Sequence, residues 1–135
     1  MTAKEYLNMP YELHMKIKSD TRRLESFREL ATSISSPQFG DKVQTDFRQE
    51  APFVRYICMA DELEHEIYAD KRRLEELKDE VDRAIDTMES EKEQIVLRYR
   101  YVLLMTMPQI AEKMKYTKRR VQQIHSAALE HFKIP

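Results

Sequence analysis

The sequence has little of what many enzymes and secreted proteins depend on. Its 135 residues include one glycine, one cysteine and no tryptophan. Scarce glycine argues against a sheet protein with tight turns and against a glycine-rich loop that cradles phosphate. The single cysteine, Cys58, cannot form an intramolecular disulfide and fits a reducing cytosol. These absences exclude several classes of fold and site before any motif is considered.

Long hydrophobic runs are also missing. No apolar stretch approaches the roughly 18 residues that a membrane span needs, and the first residues lack the apolar core of a signal peptide. The chain is therefore predicted to be soluble and cytoplasmic, without a membrane partner.

What the chain has in quantity is charge, and the charge is unevenly divided. Charged residues make up 35% of the sequence and the net charge is −1. Residues 1–90 hold 14 Lys and Arg against 20 Asp and Glu, which gives −6, and residues 91–135 hold 9 against 4, which gives +5. The basic part suits a polyanion, and the acidic part suits protein partners.

Two stretches in the first ninety residues have helical periodicity. Apolar residues three or four apart predict one helix from about Tyr6 to Ile34, with Pro10 allowing a short turn before the main helix. Residues 35–52 hold two prolines and the glycine and predict a loop. A second helix is predicted from about Phe53 to Met88, with apolar residues at alternating spacings of four and three, as in a coiled coil. They are Tyr56, Ala60, Leu63, Ile67, Leu74, Leu77, Val81, Ala84 and Met88.

A lone helix cannot bury such a stripe, so the two helices are predicted to pair. The predicted fold class is all-α, with a long antiparallel helical hairpin followed by a three-helix helix-turn-helix unit. Residues 1–89 are assigned to the coiled-coil-like hairpin, which dimerises or docks a partner. Residues 90–135 are assigned to the helix-turn-helix. A homodimer is the expected assembly.

The two predicted helices resemble each other at an offset of fifty residues. IKSDTRRLESFRE aligns with IYADKRRLEELKD and places Asp20 and Asp70 at equivalent seam positions. In an antiparallel hairpin the two aspartates come close, and the expected partners are Arg73 for Asp20 and Arg23 for Asp70. Either this polar layer fixes the register of the hairpin, or both aspartates point into water at the edge of the seam. If an Asp20→Leu substitution left pairing and oligomeric state unchanged, the register role would be excluded.

The last third of the chain has the spacing of a helix-turn-helix. Helices are predicted at about 91–104, 107–114 and 118–132, and each follows a residue that favours a helix N-terminus. These capping residues are Ser90, Thr106 and Thr117.

On a helical wheel, the third of these helices turns Val121 and Ile124 towards a core and its polar residues outwards. Arg and Gln can make bidentate contacts to guanine and adenine, so Arg119 and Gln123 are the expected base contacts. Lys118, at the helix start, suits a phosphate. The full predicted DNA-binding set is Thr117, Lys118, Arg119, Arg120, Gln122, Gln123 and Ser126.

Three alternatives stay open. Lys118, Arg119 and Arg120 could form a solvated patch on a three-helix bundle, and Lys115 favours this, because glycine is common at that left-handed turn position. The chain could be a protein-interaction module whose basic helix binds an acidic protein and not DNA. The chain could also be a small terminase-like DNA-packaging subunit whose coiled coil builds a ring.

Residues 96–129, VLRYRYVLLMTMPQIAEKMKYTKRRVQQIHSAAL, resemble region four of bacterial sigma factors, the unit that reads the −35 promoter element. The likeness lies in the run Leu97–Tyr101, in Thr106, and in QIAEKM, VQQI and SAAL. The resemblance places Lys118, Arg119 and Gln123 where that family contacts DNA. The family often has an acidic residue where this chain has Arg119, which implies a different preferred sequence.

The whole layout resembles small phage-encoded transcriptional regulators of Gram-positive bacteria, including ArpU-like proteins. The resemblance implies a regulator of phage or prophage genes, with double-stranded DNA and host RNA polymerase as partners. The sigma regions for core polymerase and −10 binding are absent from this sequence.

No arrangement of residues indicates catalysis. No nucleophile–base pair is evident, and the spacing of the four histidines does not form a metal set. The protein is therefore expected not to be an enzyme, with no metal, cofactor or small-molecule substrate. The histidines are His14, His65, His125 and His131.

Overall fold

The chain is helical throughout the part that the structure describes. A computed structural model describes residues 1–35 and 52–135, and no strand occurs among them, so the predicted all-α fold is confirmed. The predicted loop at 35–52 lies almost wholly outside the described residues. The helices are α1 (Ala3–Leu7), α2 (Met9–Ser35), α3 (Pro52–Ile85), α4 (Glu91–Leu97), α5 (Met107–Met114) and α6 (Lys118–His131), and a π-helical turn at Arg98–Val102 follows α4.

The residues group into two compact units. One, here the two-helix unit, consists of Met15–Lys71, and the other, the composite unit, joins Met1–His14 to Arg72–Pro135. This grouping is based on which residues pack together. The predicted division after residue 89 is a functional one, between a part that assembles and a part that binds DNA, and it stays a prediction.

The start of the chain is fixed by local hydrogen bonds. Thr2 caps α1, because its hydroxyl accepts from the Glu5 backbone N–H at 3.2 Å while the Glu5 carboxylate accepts from the Thr2 N–H at 3.2 Å. Asn8 then separates α1 from α2, close to the break expected at Pro10. Pro10 lies in the first turn of α2, where its missing N–H costs little.

In the two-helix unit, α2 and α3 pack antiparallel to each other. Lys16 reaches Asp70, whereas Phe27 stacks on Tyr56 with ring centroids 6.3 Å apart. The apolar residues between the helices are nearly solvent-free, as the coiled-coil period predicts. A single hairpin spanning the whole of residues 1–89 stays a prediction. The buried apolar residues described in this unit are Ile17, Leu24, Ala31, Ala60, Leu63 and Ile67.

The composite unit has two clusters of buried residues. The first joins Leu7, the last residue of α1, to the end of α3, to α4 and the π-helical turn after it, and to the end of α6. It is closed by stacking of Tyr6 on Phe132, 5.9 Å between ring centroids. The second cluster lies between α4, α5 and α6. The first consists of Leu7, Val81, Ala84, Ile85, Leu97, Tyr101, Ala128 and Phe132, and the second of Val96, Ile110, Ala111, Val121 and Ile124.

The helix expected at 91–104 differs in its second half. Its regular α part ends at Leu97, and the Leu103 N–H then donates to the Arg98 carbonyl at 2.9 Å, a π-helical bond. Leu104 follows with a φ of 57° and ends the turn. One extra residue in the turn rotates the following side chains relative to a continued α-helix, and Tyr101 is 2% exposed in the first cluster.

Among the described residues, no helix has the length and apolarity needed to cross a membrane.

Candidate nucleic-acid interface

Helices α5 and α6 form the helix-turn-helix, and each end of the turn is fixed by its own residues. The Thr106 hydroxyl accepts from the Gln109 N–H at 3.4 Å and the Gln109 side chain accepts from the Thr106 N–H at 2.9 Å, which starts α5. Lys115 ends α5 in the left-handed conformation, with φ 60° and ψ 38°. The Thr117 hydroxyl accepts from the Arg120 N–H at 3.1 Å and starts α6.

The inward face of α6 is buried in the composite unit. Val121 and Ala128 have no exposed surface, and Ile124 is 6% exposed. Val121 and Ile124 pack with Ile110 and Ala111 of α5 in the second cluster. The orientation of α6 is therefore set by apolar contacts along its full length.

The outward face of α6 carries the predicted DNA-binding residues. All seven are exposed, on a single side of a helix whose other side is packed. No acidic residue occurs in the first turn of α6, so Lys118, Arg119 and Arg120 stand together beside the positive end of the helix dipole. This surface is basic and rigidly held, and its contacts to DNA stay a prediction. The residues are Thr117, Lys118, Arg119, Arg120, Gln122, Gln123 and Ser126.

Behind this face, His125 is held by a neighbour that the sequence pattern did not identify. The Tyr101 hydroxyl lies 2.7 Å from Nε2 of His125, and the two rings stack 5.6 Å apart. Burial lowers the pKa of His125, and Arg100 and Lys4 lower it further. Burial also raises the pKa of Tyr101. Both shifts favour the neutral forms, so a protonated tyrosine hydroxyl and an uncharged imidazole share one hydrogen bond, whose direction is set by the imidazole tautomer.

A second long-range contact ties the end of α6 to the start of α4. His131 Nδ1 lies 2.8 Å from the Glu93 carboxylate. The hydrogen bond and charge of Glu93 raise the pKa of His131, and Glu130 and Glu89 add to the effect. Nothing in the local pattern around either residue predicts this pairing, because 38 residues separate them.

The predicted polar layer is centred on a lysine, and not on the two arginines that were expected. Lys16, which the sequence pattern did not single out, places its ammonium 3.0 Å from Asp20, 2.6 Å from Asp70 and 2.9 Å from Glu66. These three carboxylates lie close enough together to ligate a metal ion, and the Lys16 ammonium contacts all of them. They raise the pKa of Lys16 well above its usual range.

The expected arginine partners differ as well. Arg23 pairs with Asp20 at 3.2 Å, three residues away on α2, and not with Asp70. Arg73 pairs with Glu76 and Glu80 on its own helix. The correction has a simple cause, because Asp20 lies one helical turn from Arg23 and Glu76 one turn from Arg73, so neither cation has to cross to another helix. Asp20 is only 6% exposed, so it does not tip into water. Its role in fixing the register stays a prediction.

The C-terminal third of the chain matches a known family. Residues 89–133 match the family model described as Sigma-70, region 4. The match spans the two helices of the helix-turn-helix and α4 before them, and it supports a sigma-region-4-like helix-turn-helix, a DNA-binding class of unit. The chain matches no curated protein and no solved structure.

Proposed function

We propose that the chain is a sequence-specific transcriptional regulator that inserts α6 into the major groove of double-stranded DNA. The observation that carries the proposal is the exposed basic face of α6 on a helix whose opposite side is buried. The family match over residues 89–133 supports it. A recognition helix needs these properties, since its side chains must reach base edges while its backbone stays fixed.

The residues on this face divide by chemistry. Arg119 and Gln123 are one turn apart and can each make bidentate hydrogen bonds to a base. Lys118 and the first N–H groups of α6 suit phosphate oxygens, which fix position without reading sequence. Arg120 lies to the side and adds charge.

The biological setting belongs to the same proposal. The resemblance of the whole layout to ArpU-like regulators supports a role in controlling phage or prophage genes in the cytoplasm. The likeness to sigma region four supports a contact with host RNA polymerase. We also propose a homodimer, because a single three-helix unit neutralises few phosphates and binds weakly at physiological salt. Two copies would present recognition helices to successive major grooves.

Binding to selected DNA tests the proposal. Duplexes enriched from a random pool by the full chain should bind far more tightly than random duplex, in fluorescence anisotropy at two salt concentrations. Footprinting on a promoter that contains the enriched sequence, with and without RNA polymerase, would then test the polymerase contact. Absence of binding to any duplex at low salt would refute the DNA-binding function. Equal binding to all duplexes would leave only an architectural role.

Two alanine variants separate the roles on α6. Arg119→Ala should cost about 1–3 kcal/mol on the selected duplex and relax preference at one base position. Lys118→Ala should weaken binding to every duplex alike and reduce the salt slope by about one. Lys18→Ala, which removes an exposed cation from α2, is the matched control and should change neither quantity. Equal effects of Arg119→Ala on selected and random duplex would contradict the base-reading role.

The mass of the assembly separates the regulator from the packaging subunit. A dimer or monomer in solution agrees with a regulator, whereas eight or more copies would indicate a ring. The family match favours neither the ring nor a protein-interaction module.

A further inference from the structure

One side of the two-helix unit carries a continuous groove between α2 and α3. Its wider end is a cavity of about 580 Å³ and its narrower end one of about 270 Å³. Both cavities are lined by Arg28 and Glu64, whose side chains pair across the groove at 2.5 Å. The two cavities are therefore halves of one feature, here called the α2–α3 groove.

A second stripe of residues on α3 borders this groove. It consists of positions at spacings of four, three, four and three, beside the stripe that already packs on α2. Two of its members are large apolar side chains left in water, because Ile57 is 51% exposed and Tyr68 is 67% exposed. Large apolar side chains exposed beside a packed stripe offer a second surface for contact with another helix. The stripe is Ile57, Asp61, Glu64, Tyr68 and Lys71.

The charges along the groove have opposite signs at its two ends. Asp61, with its side chain 70% exposed, lies at the wide end, and exposed Lys71 lies at the narrow end. In the middle, Arg28 and Glu64 neutralise each other. A two-fold axis through the middle would bring the basic end of one copy to the acidic end of another. The groove is thus electrostatically complementary to itself.

The shapes of the two ends are complementary in the same sense. The wide end is floored by small side chains, Ala31 and Ala60, and the narrow end carries the projecting ring of Tyr68. The same two-fold axis places the Tyr68 ring of one copy over the small residues of the other. Such knob-and-hole contacts are the usual means by which helices pack in bundles.

We propose that a second copy of this chain docks in the α2–α3 groove about a two-fold axis near Arg28 and Glu64. The resulting interface is isologous, so that each contact occurs twice. It brings four helices together and covers Ile57 and Tyr68. The inference rests on the dimeric part of the proposed function and names the surface that forms the dimer.

Charge reversal tests this interface in the full-length chain without DNA, so its outcome does not depend on DNA binding. Asp61→Lys and Lys71→Glu should each raise the dimer Kd about tenfold or more in sedimentation equilibrium, because each replaces two attractive contacts by repulsive ones. The double variant restores both contacts with the signs exchanged. Its Kd should return to within about threefold of the unmodified chain.

The matched control reverses charges on the other side of α3. Glu62 and Arg55 are exposed, and at about 100° per residue they lie about 140° or more from the centre of the stripe. Glu62→Lys and Arg55→Glu should leave the dimer Kd unchanged. Circular dichroism of every variant checks that the helical content is preserved, and either single reversal suffices if the other does not fold.

Cys58 lines the wide end of the groove, is exposed and is the only cysteine of the chain. Its alkylation by a bulky maleimide should slow as the dimer forms, and the alkylated chain should dimerise poorly. Four results would overturn the proposal. They are a monomer at all concentrations, an assembly larger than a dimer, a dimer indifferent to both single reversals, or a Cys58 rate that does not depend on assembly.

Discussion

At the residue scale, the two hydrogen-bonded histidines of the composite unit respond to pH in opposite ways. His131 lies beside a carboxylate that favours its protonated form, and its pKa is raised above the ordinary value of 6.5. His125 is partly buried beside Tyr101, and its pKa is lowered from 6.5. The contribution of each histidine to stability is therefore lost on a different side of pH 6.5.

The sign of each contribution follows from these shifts. A raised folded pKa gives His131 a stabilising effect that is complete below pH 6.5 and lost as pH rises through the folded value. A lowered folded pKa gives His125 a stabilising effect that is complete above pH 6.5 and lost as pH falls through the folded value.

Glutamine variants at the two positions should separate the effects. The difference in free energy of unfolding between the unmodified chain and His131→Gln should shrink as pH rises from 5 to 8, because the contact with Glu93 is strongest while the imidazole is charged. His125→Gln should flatten the loss of stability on the acid side. Thermal unfolding followed by circular dichroism across this pH range measures both. Parallel pH profiles for the two variants would contradict the assignment.

At the element scale, the turn between α5 and α6 holds a residue in a strained conformation. Lys115 has φ 60°, a region that costs a residue with a Cβ about 1–2 kcal/mol and glycine almost nothing. The turn is still formed, because the Tyr116 N–H donates to the Ala111 carbonyl at 3.0 Å and Thr117 starts α6 directly afterwards. Lys115 therefore does not argue against a helix-turn-helix.

Glycine at this position should relieve the strain. Lys115→Gly is expected to raise the free energy of unfolding by about 0.5–1 kcal/mol, measured by urea denaturation. Lys113→Gly is the matched control, because Lys113 is a lysine within α5, and its replacement should lower the free energy by about 1 kcal/mol. A loss of stability for Lys115→Gly as large as that of Lys113→Gly would contradict the strain.

At the scale of the whole molecule, the helix-turn-helix shares its core with the start of the chain. Leu7 has no exposed surface and packs in the cluster that contains Ala128 and Phe132 of the C-terminal end. Val81 and Ile85, from the end of α3, complete that cluster. The packing of α6 therefore depends on a residue more than a hundred positions away.

Removing the Leu7 side chain should destabilise the composite unit. Leu7→Ala is expected to cost about 2–5 kcal/mol, the range for a fully buried leucine, in urea denaturation of the full chain. A chain that begins at residue 90 should show no cooperative transition, since it lacks Leu7, Val81 and Ile85.

Leu103 provides the matched control for this prediction. It is also a leucine but is 60% exposed, so Leu103→Ala should cost less than about 1 kcal/mol. Equal costs at the two positions, or cooperative unfolding of residues 90–135 alone, would contradict a core shared with the N-terminus.

The sequence by itself determined the features that depend on near neighbours. Thr106 and Thr117 cap helices, Lys115 takes the left-handed turn position, and the outward face of α6 follows from a period of 3.6 residues. Each of these depends on residues within about four positions, so the pattern contains the necessary information.

Only the tertiary structure decided the contacts that join distant segments. Leu7 shares a buried cluster with Ala128 and Phe132, Lys16 of α2 pairs with Glu66 and Asp70 of α3, and His131 pairs with Glu93. No local pattern around these residues marks the contacts. An ion pair forms with whichever partner the packing brings nearest, and the packing is set by the whole apolar surface at once.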